Sequence, residues 1–158
     1  MEGDYTDDPG VLIRNLRPED CSRLVAIDEK LTGRSRQLWY EGKLKRALEE
    51  SDLQVSLGAE SDGRLVGAMI AAVHFGEFGL PEPVAILDTV LVDPAFERRG
   101  IARALFEQLN LNLNALRIER VRTEVAWDDH DLASFFGTMG FRPLPRLVLE
   151  ADVRGETP

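Results

Sequence analysis

The chain has 158 residues, of which 44% are hydrophobic and 30% charged, and this suits one globular domain with its own core. Its net charge of −9 argues against a nonspecific nucleic-acid binder, and no apolar run approaches the roughly 20 residues that span a bilayer. The lone Cys21 excludes an internal disulfide, and the distant His74 and His130 lack the spacing of a zinc site, so we expect no metal.

The first ten residues, MEGDYTDDPG, are acidic and lack the basic and then apolar pattern of a secretion signal. We expect residues 1–10 to be a disordered lead-in and the protein to be cytoplasmic, with no membrane partner. Residues 11–153 show neither a repeat nor an interdomain linker and are predicted to form a single domain, with 154–158 as a short tail.

The domain is predicted to begin with a strand and two helices. Strand 11–17 precedes a helix whose apolar stripe is formed by Leu24, Ile27 and Leu31. Ser35 can cap a second helix that ends near Glu50. The apolar face of that helix consists of Tyr40, Leu44, Ala47 and Leu48.

Next come a hairpin and a central strand. Strands 53–60 and 64–75 flank the turn signal Ser61-Asp62-Gly63, and glycines and prolines mark 76–83 as a loop. Segment 84–92, VAILDTVLV, is almost wholly apolar, which is typical of a strand covered on both faces.

The second half is predicted to alternate helices and strands. Helix 100–116 has a stripe of Ile101, Ala104, Leu105, Leu109, Leu113 and Leu116. Strand 120–127 follows, then a short helix capped by Asp128 or Asp129, then final strands 141–145 and 146–153. The strand–helix–strand unit 84–126 requires a parallel pair, and the other strands suit antiparallel pairing. We therefore predict an α/β (α+β) mixed sheet, mostly antiparallel, with a central parallel β-α-β unit and helices on both faces.

The turn Glu97-Arg98-Arg99-Gly100 joins the apolar strand directly to the long helix. Such a turn leaves backbone N–H groups without partners, and these groups favour an anion such as phosphate. The patterns GxxxxGK and GxGxxG are absent, so P-loop and NAD sites are unsupported. The residues alone also fit a tight turn with solvated arginines.

Two longer segments resemble motifs of the GNAT family of N-acetyltransferases. LDTVLVDPAFERRGIARAL resembles its acetyl-CoA motif, and WDDHDLASFFGTMGF resembles its second motif, which ends in Gly-Phe, here Gly140-Phe141. The element order also matches over about residues 11–153. The resemblance implies a GNAT-like acyl-CoA N-acyltransferase fold, acetyl-CoA as cosubstrate, and direct acetyl transfer to an amine.

The resemblance also implies which residues bind the cosubstrate. The pyrophosphate would be held by backbone N–H groups of Arg98, Arg99, Gly100, Ile101, Ala102 and Arg103. Val90, Leu91 and Val92 would pair like a strand with the pantetheine arm, in a gap where strands 84–92 and 120–127 splay apart. Glu97 replaces the usual Gln or Arg and is expected to point to solvent. Phe136 replaces a Tyr that often protonates the departing thiolate, so water or another group would do so, or the thiolate leaves unaided.

Three carboxylates are candidates for the general base. Asp88 interrupts the apolar strand at a position that is often acidic in the family, and burial would raise its pKa; it could instead be a structural carboxylate bonded to backbone N–H groups at a bulge. Glu77, between glycines, is the second candidate or an exposed loop charge. Glu124 is the third, or a partner of Arg122. Trp39 and Tyr40 lie on the helix that borders the acceptor site in this family, and either contact substrate or pack in the core.

The acceptor is predicted to be a cationic primary amine, either a small molecule or a protein lysine or N-terminus. Acidic residues dominate the segments that border the cleft in the family, namely Glu77, Glu82, Asp88, Glu124, Asp128 and Asp129. The alternatives are a non-catalytic acyl-CoA-binding sensor and an interaction module. A homodimer is left open.

Overall fold

The computed structural model describes residues 10–155, so the lead-in expected at 1–10 lies almost wholly outside the described residues. Its strands are β1 (Val11–Asn15), β2 (Leu57–Ser61), β3 (Arg64–His74), β4 (Val84–Val92) and β5 (Val121–Arg122). Its α-helices are α1 (Cys21–Thr32), α2 (Gln37–Leu48), α3 (Ile101–Ala115) and α4 (His130–Thr138). Short 3₁₀ turns occupy Pro18–Asp20, Glu77–Gly79 and Pro94–Phe96.

The described strands form one sheet in the order β1-β2-β3-β4-β5. The first three pairs are antiparallel, and β4 and β5 are parallel. The predicted mixed sheet with a parallel β-α-β unit is therefore confirmed. The predicted hairpin is also present, because Asp62 and Gly63 both have positive φ, at 51° and 76°, as a tight hairpin turn requires.

Helices cover both faces of the sheet. Ala68 and Leu91 form a pair across β3 and β4 and pack with α1 and α2. The neighbouring Gly67 faces the other way, where a Cβ would lie 3.0 Å from Ile101 Cγ2 of α3. Successive strand residues point to opposite faces, so α1 and α2 cover one face and α3 the other.

The helical stripes match the prediction in most positions. Leu24, Ile27, Tyr40 and Leu44 are buried in one cluster, but Leu31 is exposed. Asp28, one helical turn earlier, is buried instead, and its carboxylate accepts hydrogen bonds from Arg36 and Tyr40. Ser35 does not cap α2, since the helix begins at Gln37 with Arg36 before it.

Helix α3 buries the predicted stripe apart from its last residue, and it also buries Phe106. Leu116 was predicted to be part of the stripe, but it lies just beyond the helix and is exposed. A stripe continued past a helix end no longer faces the core, because the chain leaves the helical path there.

The strands predicted after α3 are shorter or absent. Segment 120–127 forms a strand only at Val121–Arg122, and the strands predicted at 141–145 and 146–153 are wrong, since residues 141–155 contain none. Pro143 and Pro145 lack an N–H for a ladder, and Leu147 and Leu149 are exposed. Alternating apolar residues give strand propensity, but a strand forms only against a partner.

The described residues form two compact units, one up to Glu124 and one from Val125 onward. The second unit contains α4. Asp129 caps this helix by accepting a hydrogen bond from Leu132 N at 3.1 Å, and Asp129 was one of the two predicted caps. Gly140, with φ of 93°, follows the helix end. Within residues 10–155, no helix combines the length and apolar character needed to cross a bilayer.

Candidate functional site

Strand β4 has an open backbone edge in its second half. It pairs with β5 only at Ala85 and Ile86, and the Thr123 hydroxyl then donates to Leu87 O at 2.7 Å. From Asp88 to Val92, the described strands pair with β4 on the β3 side alone. The described strands therefore leave this edge of β4 unpaired from Asp88 onward, and an extended amide-bearing ligand can pair with such an edge.

The direction of the β4 backbone decides which groups face this edge. Asp93 N donates to Val66 O of β3 at 2.8 Å, so Asp93 directs its backbone toward β3. Successive strand residues direct their N–H and C=O groups to opposite edges. Val90 and Val92 therefore present these groups to the open edge, whereas the backbone of Leu91 faces β3.

The turn after β4 has the backbone of an anion-binding concavity. Arg98 and Gly100 both adopt left-handed conformations, with φ of 63° and 76°, on either side of Arg99. The first helical hydrogen bond of α3 runs from Ala104 N to Gly100 O at 2.9 Å. The N–H groups of residues 101–103 therefore lack an intrahelical acceptor, and the helix dipole adds positive potential there.

The side chains of this turn point outward. Glu97 is exposed, as expected, so its carboxylate does not need to face a bound anion. Arg98 and Arg99 are exposed as well, and the Arg99 guanidinium lies 4.8 Å from the Phe96 ring centroid. Arg103 pairs with Glu107 at 3.7 Å. A ligand at this turn would therefore contact mainly backbone groups, with arginine side chains around them.

Asp93 fixes the start of the turn. Its side chain is almost fully buried and accepts hydrogen bonds from Ala95 N at 3.0 Å, Arg23 Nη2 at 3.0 Å and Lys30 Nζ at 3.2 Å. Burial alone would raise the pKa of Asp93, but these hydrogen bonds outweigh it and hold the pKa below its usual range. The turn is thus attached to α1 through one carboxylate.

Asp88 lies in a β-bulge of β4. Ile70 pairs with Thr89 and Ala71 with Leu87, so Asp88 is the extra residue. Its carboxylate accepts hydrogen bonds from Lys43 Nζ and from the Thr89 hydroxyl, the latter at 2.8 Å. The expectation that Asp88 is buried is wrong, because its side chain is 42% exposed. The bulge was anticipated as the structural alternative, but the partners in the structure are side chains rather than backbone N–H groups.

Lys43 is the site residue that sequence reasoning missed. It belongs to α2, its side chain is only 14% exposed, and its Nζ lies 5.2 Å from the Trp39 ring centroid. The four-residue spacing of Trp39 and Lys43 places both on one side of α2, and this spacing was the available signal. The contact with Asp88 joins residues 45 positions apart, which no local pattern reveals.

The other two carboxylate candidates lie differently. Glu77 is in the 3₁₀ turn after β3, with its Oε1 3.9 Å from His74 Nδ1. His74 pairs with Val84, four residues before Asp88, which is about 13 Å along the strand. Glu124 is exposed and follows Thr123, whose bond to Leu87 brings the chain level with Asp88. Position therefore favours Asp88 and Glu124 over Glu77 as neighbours of the open edge.

The aromatic candidates separate into core and surface. Tyr40 is fully buried, and burial, followed by the nearby Asp28, raises its pKa well above the usual value. Trp39 is partly exposed and lies within 4.7 Å of Arg36 Cζ. In the second unit, Phe136 is buried, and its ring centroid lies 5.3 Å from that of Phe135 and 4.8 Å from that of Phe141.

Among the described residues, no three His, Cys, Asp or Glu side chains cluster as metal ligands would.

Comparisons with known proteins give a family and a set of similar folds. The model of the acetyltransferase (GNAT) family matches residues 15–141, whereas no curated protein matches the chain by sequence. An aminoglycoside N-acetyltransferase in complex with CoA is 16% identical with a TM-score of 0.75, over 90% of this chain and 95% of that one. A transcriptional regulator from Bacillus halodurans C-125 is 15% identical with a TM-score of 0.75, and the match covers 90% of this chain and 99% of that one. A ribosomal-protein-alanine N-acetyltransferase from Brucella melitensis biovar Abortus 2308 is 20% identical with a TM-score of 0.71, and the match covers 90% of this chain and 99% of that one. At these identities the likeness concerns the fold alone.

Proposed function

The chain belongs to the acetyltransferase (GNAT) family, and we propose that it transfers an acetyl group from acetyl-CoA directly to a primary amine bound beside Asp88. The observation that carries this proposal is the open edge of β4, which runs directly into a turn with two left-handed residues and the start of α3. The edge suits the amides of a pantetheine arm, and the turn suits a pyrophosphate. Val90 and Val92 pair with the arm, and the main chain of 98–103 holds the phosphates.

The residues of this site have a limited chemical task. Acetyl-CoA supplies an activated acyl group. An alkylammonium has a pKa of about 10 and must lose a proton before it attacks, and Asp88 accepts that proton. The Val90 N–H, which points to the open edge, donates to the oxygen that becomes negative. Phe136 cannot donate a proton, and a thiol with a pKa of about 8.5 is an acceptable leaving group without one.

The charges around the site favour a cationic acceptor. Asp88 and Glu124 are exposed beside the open edge, and Glu77 and Glu82 are exposed near the other end of β4 in the same unit. Lys43 offsets part of this negative charge, but its Nζ, between Asp88 and the Trp39 ring, occupies the position that suits an alkylammonium. The acceptor in this proposal is a small cationic amine or a protein amine rather than an anionic amino acid.

A coupled assay tests the proposed function. Calorimetry with CoA measures binding, and thiol release from acetyl-CoA in the presence of diamines, lysine peptides and amino-dicarboxylates measures transfer. We expect CoA binding together with amine-dependent thiol release. CoA binding without release for any amine would favour the acyl-CoA sensor, which the replacement of the usual tyrosine by Phe136 supports. Absence of CoA binding would refute both.

A further inference from the structure

The chain is poor in lysine. It has three lysines, Lys30, Lys43 and Lys45, against 16 arginines. An acetyl thioester acylates lysine amines, whereas a guanidinium keeps its proton and is not a nucleophile at neutral pH. The positions of these three amines therefore decide what acetyl-CoA can modify within the described chain.

The three lysines have different surroundings. Lys45 is exposed, and Lys30, 46% exposed, binds the Asp93 carboxylate. Lys43 is 14% exposed and binds Asp88, two residues before the open-edge Val90. Its Nζ is thus the described amine that contacts the proposed general base, and the Trp39 ring flanks it at 5.2 Å. A buried stem, the Asp88 carboxylate and the face of the Trp39 ring position this amine, which favours reaction by proximity.

We propose that Lys43 is an internal acceptor, acetylated in cis by the chain's own site; this rests on the proposed function. The Lys43 ammonium passes a proton to the Asp88 carboxylate, and the free amine forms a C–N bond to the acetyl carbon as the C–S bond breaks. The nitrogen then loses its second proton, which the departing CoA thiolate takes up, and Asp88 releases the first proton to water. The sum is one ammonium and one acetyl-CoA giving one N-acetyl-lysine, one CoA thiol and one proton.

Acetylation changes the charge of the site. N-acetyl-Lys43 is neutral and no longer forms an ion pair with Asp88, so the carboxylate and the Trp39 ring become available to another cation. Removal of the positive charge beside this position also removes its repulsion of an incoming ammonium. The modified protein therefore has a lower KM for cationic amines than the unmodified protein.

The test compares two acetylating reagents on the full chain in amine-free buffer. Peptide mass spectrometry identifies which lysines are acetylated. Acetic anhydride reacts by exposure, so it modifies Lys45 and Lys30 before Lys43. Acetyl-CoA modifies Lys43 first, at a rate independent of protein concentration. Asp88→Asn removes the contact that protects Lys43 from anhydride, and this measurement needs no acetyl-CoA. Lys45→Arg is the matched control and leaves Lys43 acetylation unchanged.

The outcomes separate this inference from the proposed function. A protein that binds CoA and acetylates external amines but leaves Lys43 unmodified overturns the internal acceptor alone. The same order of sites with both reagents, or a rate that rises with protein concentration, also overturns it. A protein that does not bind CoA overturns the proposed function, and this inference with it.

Discussion

Asp88 and Thr89 show how one added residue redirects a side chain. In a regular strand they would point to opposite faces, but the bulge directs both toward α2, where Lys43 lies. A partly exposed ion pair of this kind contributes only about 0–1 kcal/mol. In the proposed function an acceptor ammonium therefore displaces Lys43 from Asp88 at little cost, so the contact is compatible with Asp88 as the base.

Asp88→Asn tests the general base. The amide cannot take the ammonium proton, so we expect turnover to fall by about 10²–10⁴-fold at neutral pH while CoA affinity stays the same. Steady-state kinetics and calorimetry measure the two quantities. Glu77→Gln is the control, since Glu77 lies at the far end of β4, and it should keep near-normal turnover. If Glu77→Gln loses turnover and Asp88→Asn keeps it, Asp88 is not the base.

Asp28 provides a pH-dependent prediction of stability. It is buried and accepts hydrogen bonds from Arg36 Nε at 2.8 Å, Arg36 Nη2 at 2.6 Å and the Tyr40 hydroxyl at 3.1 Å. These bonds, above all those from Arg36, lower the pKa of Asp28. A lowered folded-state pKa gives stability that is present above the unfolded value of about 3.9 and is lost as pH falls through the folded value.

We therefore expect Asp28→Asn to cost about 1.5–3 kcal/mol of unfolding free energy at pH 7, the range for hydrogen bonds to a charged group. The difference from wild type should shrink as the pH falls from about 4, where the unfolded carboxylate takes up a proton, to the lowered folded-state pKa, where the folded carboxylate does so as well. Urea unfolding at a series of pH values measures this. A constant difference between pH 7 and the acid range would contradict it.

At the scale of elements, the turn between β4 and α3 depends on backbone geometry. Gly100 has φ of 76°, which a β-branched residue resists, and a side chain there would obstruct a phosphate at the helix start. We expect Gly100→Val to abolish CoA binding, measured by calorimetry, while circular dichroism shows a retained fold. Gly63→Val is the matched control, since Gly63 has the same φ of 76° in the hairpin turn of β2 and β3. Equal loss of CoA binding in both variants would show that general destabilisation, not the turn, is responsible.

The elements that sequence predicted well are those with dense local signals. Strand β4 is almost wholly apolar, and α3 has six buried residues along one stripe. Segment 120–127 has the alternation of a strand, but only Val121 and Arg122 pair with β4, and Trp127 is 99% exposed. Local alternation reports strand propensity, whereas pairing depends on where β4 runs. The last predicted strands failed for the same reason.

At the scale of the whole molecule, the net charge of −9 favours a cationic acceptor. We expect kcat/KM for a diamine to exceed that for an amino-dicarboxylate of similar size. The diamine value should fall as salt rises, because charges on the surface are screened over about 8–10 Å at physiological ionic strength. Kinetics with both amines at low and moderate salt test this. A preference for the dicarboxylate, or diamine turnover that salt does not change, would contradict it.

The candidate site divides into a part that sequence could predict and a part that it could not. The turn at residues 98–103 and the strand before it are contiguous, so one motif predicts both. The contact of Lys43 with Asp88 joins α2 to a bulge in β4, and its existence depends on the β3–β4 register shift between Ile70 and Ala71. Asp88 in an apolar strand indicates a possible bulge, but no local pattern shows which residue of α2 the bulge faces, which is why the basic partner of Asp88 was not foreseen.

Asp93 connects the turn to α1, and this connection has a consequence for thermodynamic linkage. The same carboxylate caps the segment before Gly100 and holds Arg23 and Lys30 of α1. A ligand that orders the turn therefore also lowers the frequency with which α1 opens, and α1 stability contributes to ligand affinity by the same free energy. Amide hydrogen exchange in α1 should slow when CoA binds, although α1 itself contributes no residue to the proposed phosphate site. Such slowing would show that helix α1 and the turn form one cooperative unit joined by a single buried charge.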